Sequence, residues 1–232
     1  MRPPRALPGR RLDAPKRQLI LARTLRPKGL ITVLAGVNGA GKSSIGGSAL
    51  RASGQDWYNP DEVARELQRR FPDRPTNEIN ERVWREGLRR LKQAILTDTH
   101  FAFEPTLGGN TITGSLLDAI AAGVRVDVWF CGLASVDLHI QRVAERVARG
   151  GHDIPENLIR ERYRRSIRNL CRLAPGLYQL VVYDNSLPLD RNHKPQARKL
   201  LQARDKRLLY YETDMSEWAK PVAAVCLQHF TS

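Results

Sequence analysis

The clearest chemistry in this sequence lies in Gly36-Val37-Asn38-Gly39-Ala40-Gly41-Lys42-Ser43, a glycine followed by four residues and then Gly-Lys-Ser. This is the P-loop pattern in its required context: a β-rich run, Leu30-Ile31-Thr32-Val33-Leu34-Ala35, precedes it and a helical pattern follows. Its glycines let successive backbone N–H groups curl around phosphate oxygens at the positive end of a helix. Lys42 is expected to reach the β- and γ-phosphates of ATP and Ser43 to bind Mg²⁺, with Gly36, Asn38, Gly39, Ala40, Gly41 and Ser44 completing the cradle.

A P-loop specifies nucleotide binding and no reaction, so the acids and arginines beyond it matter. Asp61 falls in the first turn of the helix after Trp57-Tyr58, where a parallel sheet would bring it beside the phosphates. A carboxylate there can accept the proton of a hydroxyl attacking the γ-phosphorus; an acid that only complements a helix dipole is the alternative. Glu104 ends the run Phe101-Ala102-Phe103. It is read as orienting a polar substrate or holding a water on Mg²⁺, against a solvated strand-end acid. Arg142, Arg146 and Arg149 recur at helical spacing before Gly150-Gly151, and Arg162 and Arg165 lie on the next helix. That has the form of a lid whose arginines neutralise transition-state charge and exclude water; a solvated helix face is the alternative.

The elements that must position these groups alternate. Strands are expected at Leu30–Ala35, Trp57-Tyr58, His100–Glu104, Val126–Leu133 and Gln179–Tyr183, and a further one at Arg207–Tyr211. Helices are expected over Lys42–Arg51, from Asn59-Pro60-Asp61-Glu62 with Asn59 as N-cap and Glu62 closing a capping box, and over Glu78–Leu96, Thr113–Ala122, Val136–Arg149, Pro155–Leu173 and Ser216–Leu227. Gly46-Gly47 interrupt the first of these at about 1 kcal/mol each relative to Ala; close packing on the sheet would explain them. Alternating strands and helices, several strands being apolar throughout, imply an α/β fold with a mostly parallel sheet covered on both faces.

The chain has 232 residues, of which 41% are apolar, enough for one sizeable core. No apolar run approaches the ~20 residues of a membrane helix. The net charge of +14 invites a nucleic-acid reading. Its location argues otherwise: residues 1–28, a Pro/Arg-rich arm with an expected short helix over Leu19–Leu25, carry +8, residues 142–172 carry +5, and the remainder is nearly neutral. The basic stretches lack the aromatic interleaving of single-strand binders. Cys131, Cys171 and Cys226 have neither disulfide nor metal-ligand spacing, which points to structural thiols in a cytoplasmic protein. The N-terminus has no apolar segment of secretory type.

From Ile31 to Tyr183 the residues resemble the zeta-toxin family of P-loop kinases, particularly its small chromosomal bacterial members. The resemblance rests on the P-loop through Ser44, on Asn59-Pro60-Asp61-Glu62, on Phe103-Glu104 with Thr106-Leu107, and on Arg142-Val143-Ala144-Glu145-Arg146-Val147. It extends through Gly150-Gly151-His152-Asp153-Ile154-Pro155 and Arg162-Tyr163-Arg164-Arg165-Ser166-Ile167-Arg168-Asn169-Leu170. It implies a three-layer P-loop kinase-like fold with an Arg-rich helical lid at about 142–172, within a kinase domain over 29–232. It further implies ATP- and Mg²⁺-dependent phosphorylation of a sugar hydroxyl on UDP-N-acetylglucosamine or a related nucleotide sugar, in a toxin restrained by an antitoxin protein. By that resemblance Asp61 is the general base, Lys42 and Ser43 serve nucleotide and Mg²⁺, Glu104 and Thr106 contact substrate, and Arg146, Arg162 and Arg165 are the lid arginines. Pro105 departs from the family pattern, which has a threonine there; proline brings neither N–H nor hydroxyl. The competing readings are a P-loop kinase for a nucleoside, NAD or another sugar, and a nucleic-acid-binding NTPase or nucleic-acid-end kinase.

Overall fold

The computed structural model describes residues 29–47, 57–191 and 195–231. Among these, strands β1 (Leu30–Ala35), β2 (Trp57–Tyr58), β3 (Phe101–Phe103), β4 (Arg125–Gly132), β5 (Gln179–Asp184), β6 (Arg198–Arg204) and β7 (Arg207–Tyr211) form one sheet in the order β2-β3-β1-β4-β5-β6-β7. The pairs from β2 to β5 are parallel, and β5-β6 and β6-β7 are antiparallel. The basic arm and its expected helix lie outside the described residues, as does the end of the expected helix at 42–51.

Helices α1 (Pro60–Arg70), α2 (Thr76–Thr97), α3 (Asn110–Ala121), α4 (Val136–Ala148), α5 (Glu156–Leu173) and α6 (Lys220–His229) complete the layers. Ile31 and Val33 of β1, Val126, Val128 and Phe130 of β4, and Leu180 and Val182 of β5 bury one sheet face. Leu91 of α2, Leu116 of α3, Leu170 of α5 and Cys226 of α6 pack against it. On the opposite face Leu34 and Ala102 cluster with Trp57 and Trp129. There a helical turn, Ser43–Gly47, lies so close that a Cβ at Gly46 would stand 2.6 Å from Leu34 Cδ1, which accounts for that glycine. The result is a three-layer α/β fold.

β1 has β3 on one side and β4 on the other, and the chain turns outward in opposite directions from it. Such a switch point opens a crevice at the carboxyl ends of the strands. The P-loop, the start of α1 and Glu104 all follow strand ends at that edge.

In the C-terminal part the strand expected at Arg207–Tyr211 forms as β7, while its partner β6 was not expected. β6 has no clean two-residue alternation: adjacent Leu200 and Leu201 are both buried, and the register shifts on both of its sides. Its turn into β7 uses Asp205 and Lys206, both at positive φ (50° and 63°), without the glycine that marks such turns. The helix expected over 216–227 forms as α6, entered through a short 3₁₀ turn, Glu217–Ala219.

This segment is tied to the parallel part of the sheet through Asp184 at the end of β5. Its carboxylate accepts hydrogen bonds from Ser186 N (2.7 Å), the Ser186 and Ser216 hydroxyls, and Trp218 Nε1 (3.3 Å). Burial opposes its ionisation, and these donors outweigh burial and hold the carboxyl below its ordinary range. Trp218 in turn packs on Phe130 with ring centroids 5.8 Å apart. Asp184→Ala is therefore expected to cost about 2–3 kcal/mol, seen as a lower thermal midpoint; unchanged melting would refute the anchoring role.

Candidate active site

The P-loop backbone is shaped by three glycines at positive φ: Gly36 (144°), Gly39 (85°) and Gly41 (81°). Space forbids a side chain as firmly as conformation does. A Cβ at Gly36 would land on the Cys131 carbonyl oxygen, one at Gly39 would stand 2.7 Å from His139 O, and one at Gly41 2.5 Å from Asn185 Nδ2. Hydrogen bonds hold the loop from outside: Asn185 Nδ2 donates to Ala40 O (3.0 Å) and Cys131 Sγ to the same oxygen (3.0 Å).

His139 of α4, fully buried, sits 2.9 Å from Asn38 O through Nδ1. A carbonyl only accepts, so Nδ1 carries the proton and Nε2 the lone pair. Burial is the chief cause that depresses its pKa, to about 4, so the ring is neutral near pH 7.

Glu104, buried at the end of β3, draws together the P-loop and the start of α1. Its carboxylate accepts from Ser43 Oγ (2.8 and 3.1 Å) and Asn59 Nδ2 (3.1 Å), with Lys42 Nζ 3.9 Å away. Burial raises its pKa, opposed by Lys42 and Ser43. Asn59 has a second task as N-cap of α1, where its Oδ1 accepts from Asp61 N (2.9 Å) and Glu62 N (3.4 Å). One asparagine thus fixes Asp61 relative to Glu104, a role beyond the capping expected of it.

Two cavities meet at these groups. One, of about 580 Å³, runs along the P-loop past α4 to Asn185, Ser186 and Pro188. The other, of about 280 Å³, is walled by α2 and α3 and floored by Phe103, Pro105 and Leu107. Asn38, Lys42, Asp61 and Glu104 line both. Pro105 places apolar surface on the floor of the smaller cavity.

The two helices of the expected lid are packed against the P-loop at their base, where Val143 and Ile159 close on Val37. The arginines separate by partner. Arg146 reaches Asp61 (3.9 Å) and donates to His152 O (2.6 Å). Arg162, largely buried, donates to Asn38 Oδ1 (2.8 Å), and desolvation lowers its pKa. Arg142 grips the carbonyls of Ser186 (3.4 Å) and Leu187 (3.1 Å). Arg165 is not brought to either cavity; it pairs with Glu161 one turn back on α5. Helical spacing explains the split, since Ile159, Arg162, Ser166, Asn169 and Leu170 share the inner face of α5 and Arg165 does not.

That inner face also fixes the loop after Glu104. Ser166 Oγ donates to Thr106 O (2.5 Å), and Asn169 Nδ2 donates to Leu107 O (2.8 Å) and Gly109 O (3.3 Å). Leu107 is buried at a φ of 55°, a costly conformation for a bulky residue that these bonds sustain. Thr106 lines the smaller cavity, with its hydroxyl accepting from Gly108 N (3.3 Å). Sequence reasoning assigned no role to Ser166, Asn169, His139 or Asn185; the only signal available was the presence of the first two in the resembling stretch.

No family model matches the chain. It is 29% identical over 132 residues to an uncharacterized protein of Haemophilus influenzae, covering 55% of this chain and 88% of that protein. Among solved structures it is similar to the AvrRxo1-ORF1:-ORF2 complex with ATP, at a TM-score of 0.55 and 14% identity, over 89% of this chain and 65% of that one. It is likewise similar to the PezAT chromosomal toxin-antitoxin system of Streptococcus pneumoniae, at a TM-score of 0.52 and 13% identity, over 94% of this chain and 96% of that one. The fold is P-loop kinase-like. This chain spans about two thirds of the length of the AvrRxo1-ORF1:-ORF2 chain it matches. Among the described residues no helix is long and apolar enough to cross a membrane, no three His, Cys, Asp or Glu cluster to hold a metal, and the cysteines are free.

The His139 contact has a pH signature. Its folded pKa, about 4, lies below the ordinary 6.5. Above 6.5 both folded and unfolded chains carry it neutral; as pH falls from 6.5 to 4 only the unfolded chain gains the proton, and stability drops by about 3 kcal/mol. His139→Gln, which can still donate to Asn38 O, is expected to flatten this part of the melting-temperature profile; an unchanged profile would count against it.

Proposed function

We propose that this protein is an ATP-dependent phosphotransferase that phosphorylates a sugar hydroxyl of UDP-N-acetylglucosamine or a related nucleotide sugar. The observation that carries the reading is the meeting of two cavities at Asn38, Lys42, Asp61 and Glu104. A nucleotidase needs a single cleft and a water; a kinase needs a second, shaped one for the acceptor. The chain's resemblance to the zeta-toxin family supports the nucleotide sugar, and the fold shared with the PezAT system supports a toxin held by an antitoxin.

ATP lies with its triphosphate on the N–H groups of Gly39 to Ser43 and on Lys42, which exchanges its distant Glu104 partner for phosphate oxygens. Ser43 Oγ and the Glu104 carboxylate present oxygens side by side, the donor type that suits Mg²⁺, and would hold it there. When bound, Mg²⁺ neutralises charge on the transferring group.

Asp61 faces both cavities and takes the proton of the acceptor hydroxyl as that oxygen attacks the γ-phosphorus in line, with ADP leaving. Arg146, beside Asp61, and Arg162, on Asn38, are positioned to move onto the phosphates and balance the charge of the transition state. Packing of Ile154 and His152 over the smaller cavity limits water near the reacting oxygen.

Mass spectrometry of products after incubation with ATP and a panel of nucleotide sugars, free sugars, nucleosides and NAD identifies the acceptor. A phosphorylated nucleotide sugar is expected, and transfer to another class alone would replace that part of the reading. Asp61→Asn should retain ATP binding and lower kcat by about 10²–10⁴, and transfer at the wild-type rate would remove Asp61 as the base. Growth arrest on expression of the wild type and not of Lys42→Ala is expected of a toxin.

A further inference from the structure

The lining of the cavity between α2 and α3 divides by element into a charged part and an uncharged part. Its acidic and basic lining residues, Lys42, Asp61, Glu104, His152 and Arg162, come from the P-loop, α1, the end of β3, the loop between α4 and α5, and α5 itself. None comes from α2 or α3. On α2 the residues turned to the cavity include Asn80, Trp84 and Leu88, spaced four apart and uncharged. Charges of the same helix pair with one another elsewhere on its surface, Arg85 with Glu81 (2.6 Å) and Arg89 with Glu86 (2.7 Å). Across the cavity α3 offers Thr111 and Ile112, again uncharged.

Trp84 is 46% exposed although it lines a concave site, and among the described residues no ring or guanidinium covers its indole. Tyr58 supports this wall from behind: its hydroxyl donates to Val83 O (2.6 Å), and its ring occupies the space that Gly87 leaves by having no Cβ. A rigidly backed, open indole face beside an amide and a hydroxyl suits a flat polar heterocycle, which stacks on the ring and is read at its edge by Asn80 and Thr111.

We propose that Trp84 is the stacking platform for an uncharged, nucleobase-like ring of the acceptor, on the uncharged wall of the cavity whose other lining includes Asp61. This rests on the kinase reading above and deepens it: the acceptor has one polar, reacting end and one neutral heterocyclic end, and Trp84 sets specificity for the latter.

Tryptophan fluorescence and steady-state kinetics test it. UDP-N-acetylglucosamine and UDP should quench the wild type, N-acetylglucosamine should not, and the quench should vanish in Trp84→Phe, whose other tryptophans lie on the far sheet face or behind Phe130. Trp84→Ala should raise the acceptor KM about tenfold or more while changing kcat by less than about threefold, and Trp84→Phe should restore most of the loss. Quenching by the free sugar as strong as by UDP, or an unchanged KM in Trp84→Ala, overturns the assignment. If UDP-N-acetylglucosamine is not phosphorylated, the proposed acceptor fails by itself, and titrations with UDP, uridine and adenosine decide the platform separately. A quench lost in Trp84→Phe upholds it, and no quench by any of them overturns it.

Discussion

Close packing of other elements against the P-loop backbone is the constraint on which the rest of this structure depends. Gly36 lies against the carbonyl of Cys131 in β4, Gly39 against that of His139 in α4, and Gly41 against the side chain of Asn185 beyond β5. Each contact comes from a different element, so the loop is seated by the sheet, α4 and the strand-end segment together. A phosphate cradle needs its N–H groups fixed before the ligand arrives, since ordering them on binding would cost conformational entropy. Here the fixing is steric, with His139 and Asn185 adding hydrogen bonds to the loop carbonyls.

A second constraint is the burial of Glu104. A carboxylate taken out of water requires donors, and it receives them from the P-loop through Ser43 and from the N-cap of α1 through Asn59, with Lys42 supplying the nearby charge. The same bonds set the distance from the cradle to Asp61. Electrostatic need at one buried acid thereby aligns three elements that are separate in sequence, and its raised pKa records that burial is only partly offset.

The helical pair α4 and α5 illustrates how one Arg-rich sequence is divided among tasks by helix geometry. Residues on the inner face of α5 pin the loop that carries Thr106 and Leu107, and Arg162 from that face holds Asn38. Arg165, three residues on, is carried away to an ion pair within its own helix. The pair is anchored to the P-loop through Val143 and Ile159 against Val37.

What the sequence by itself determined is local: the P-loop between a buried strand and a helix, the cap at Asn59, the long amphipathic α2 and the parallel α/β alternation. Each follows from contacts within a few residues, which periodicity and glycine placement record directly. β6 and its turn were not legible, because a bulge removes the two-residue alternation and Asp205-Lys206 replaces the usual glycine. Only the tertiary structure decided which acids share a site, which arginines reach it and where a second cavity lies. Those relations span up to 145 residues, as between Asn185 and Ala40. They depend on strand order and on the rotation of each helix about its axis, and neither leaves a pattern among neighbouring residues.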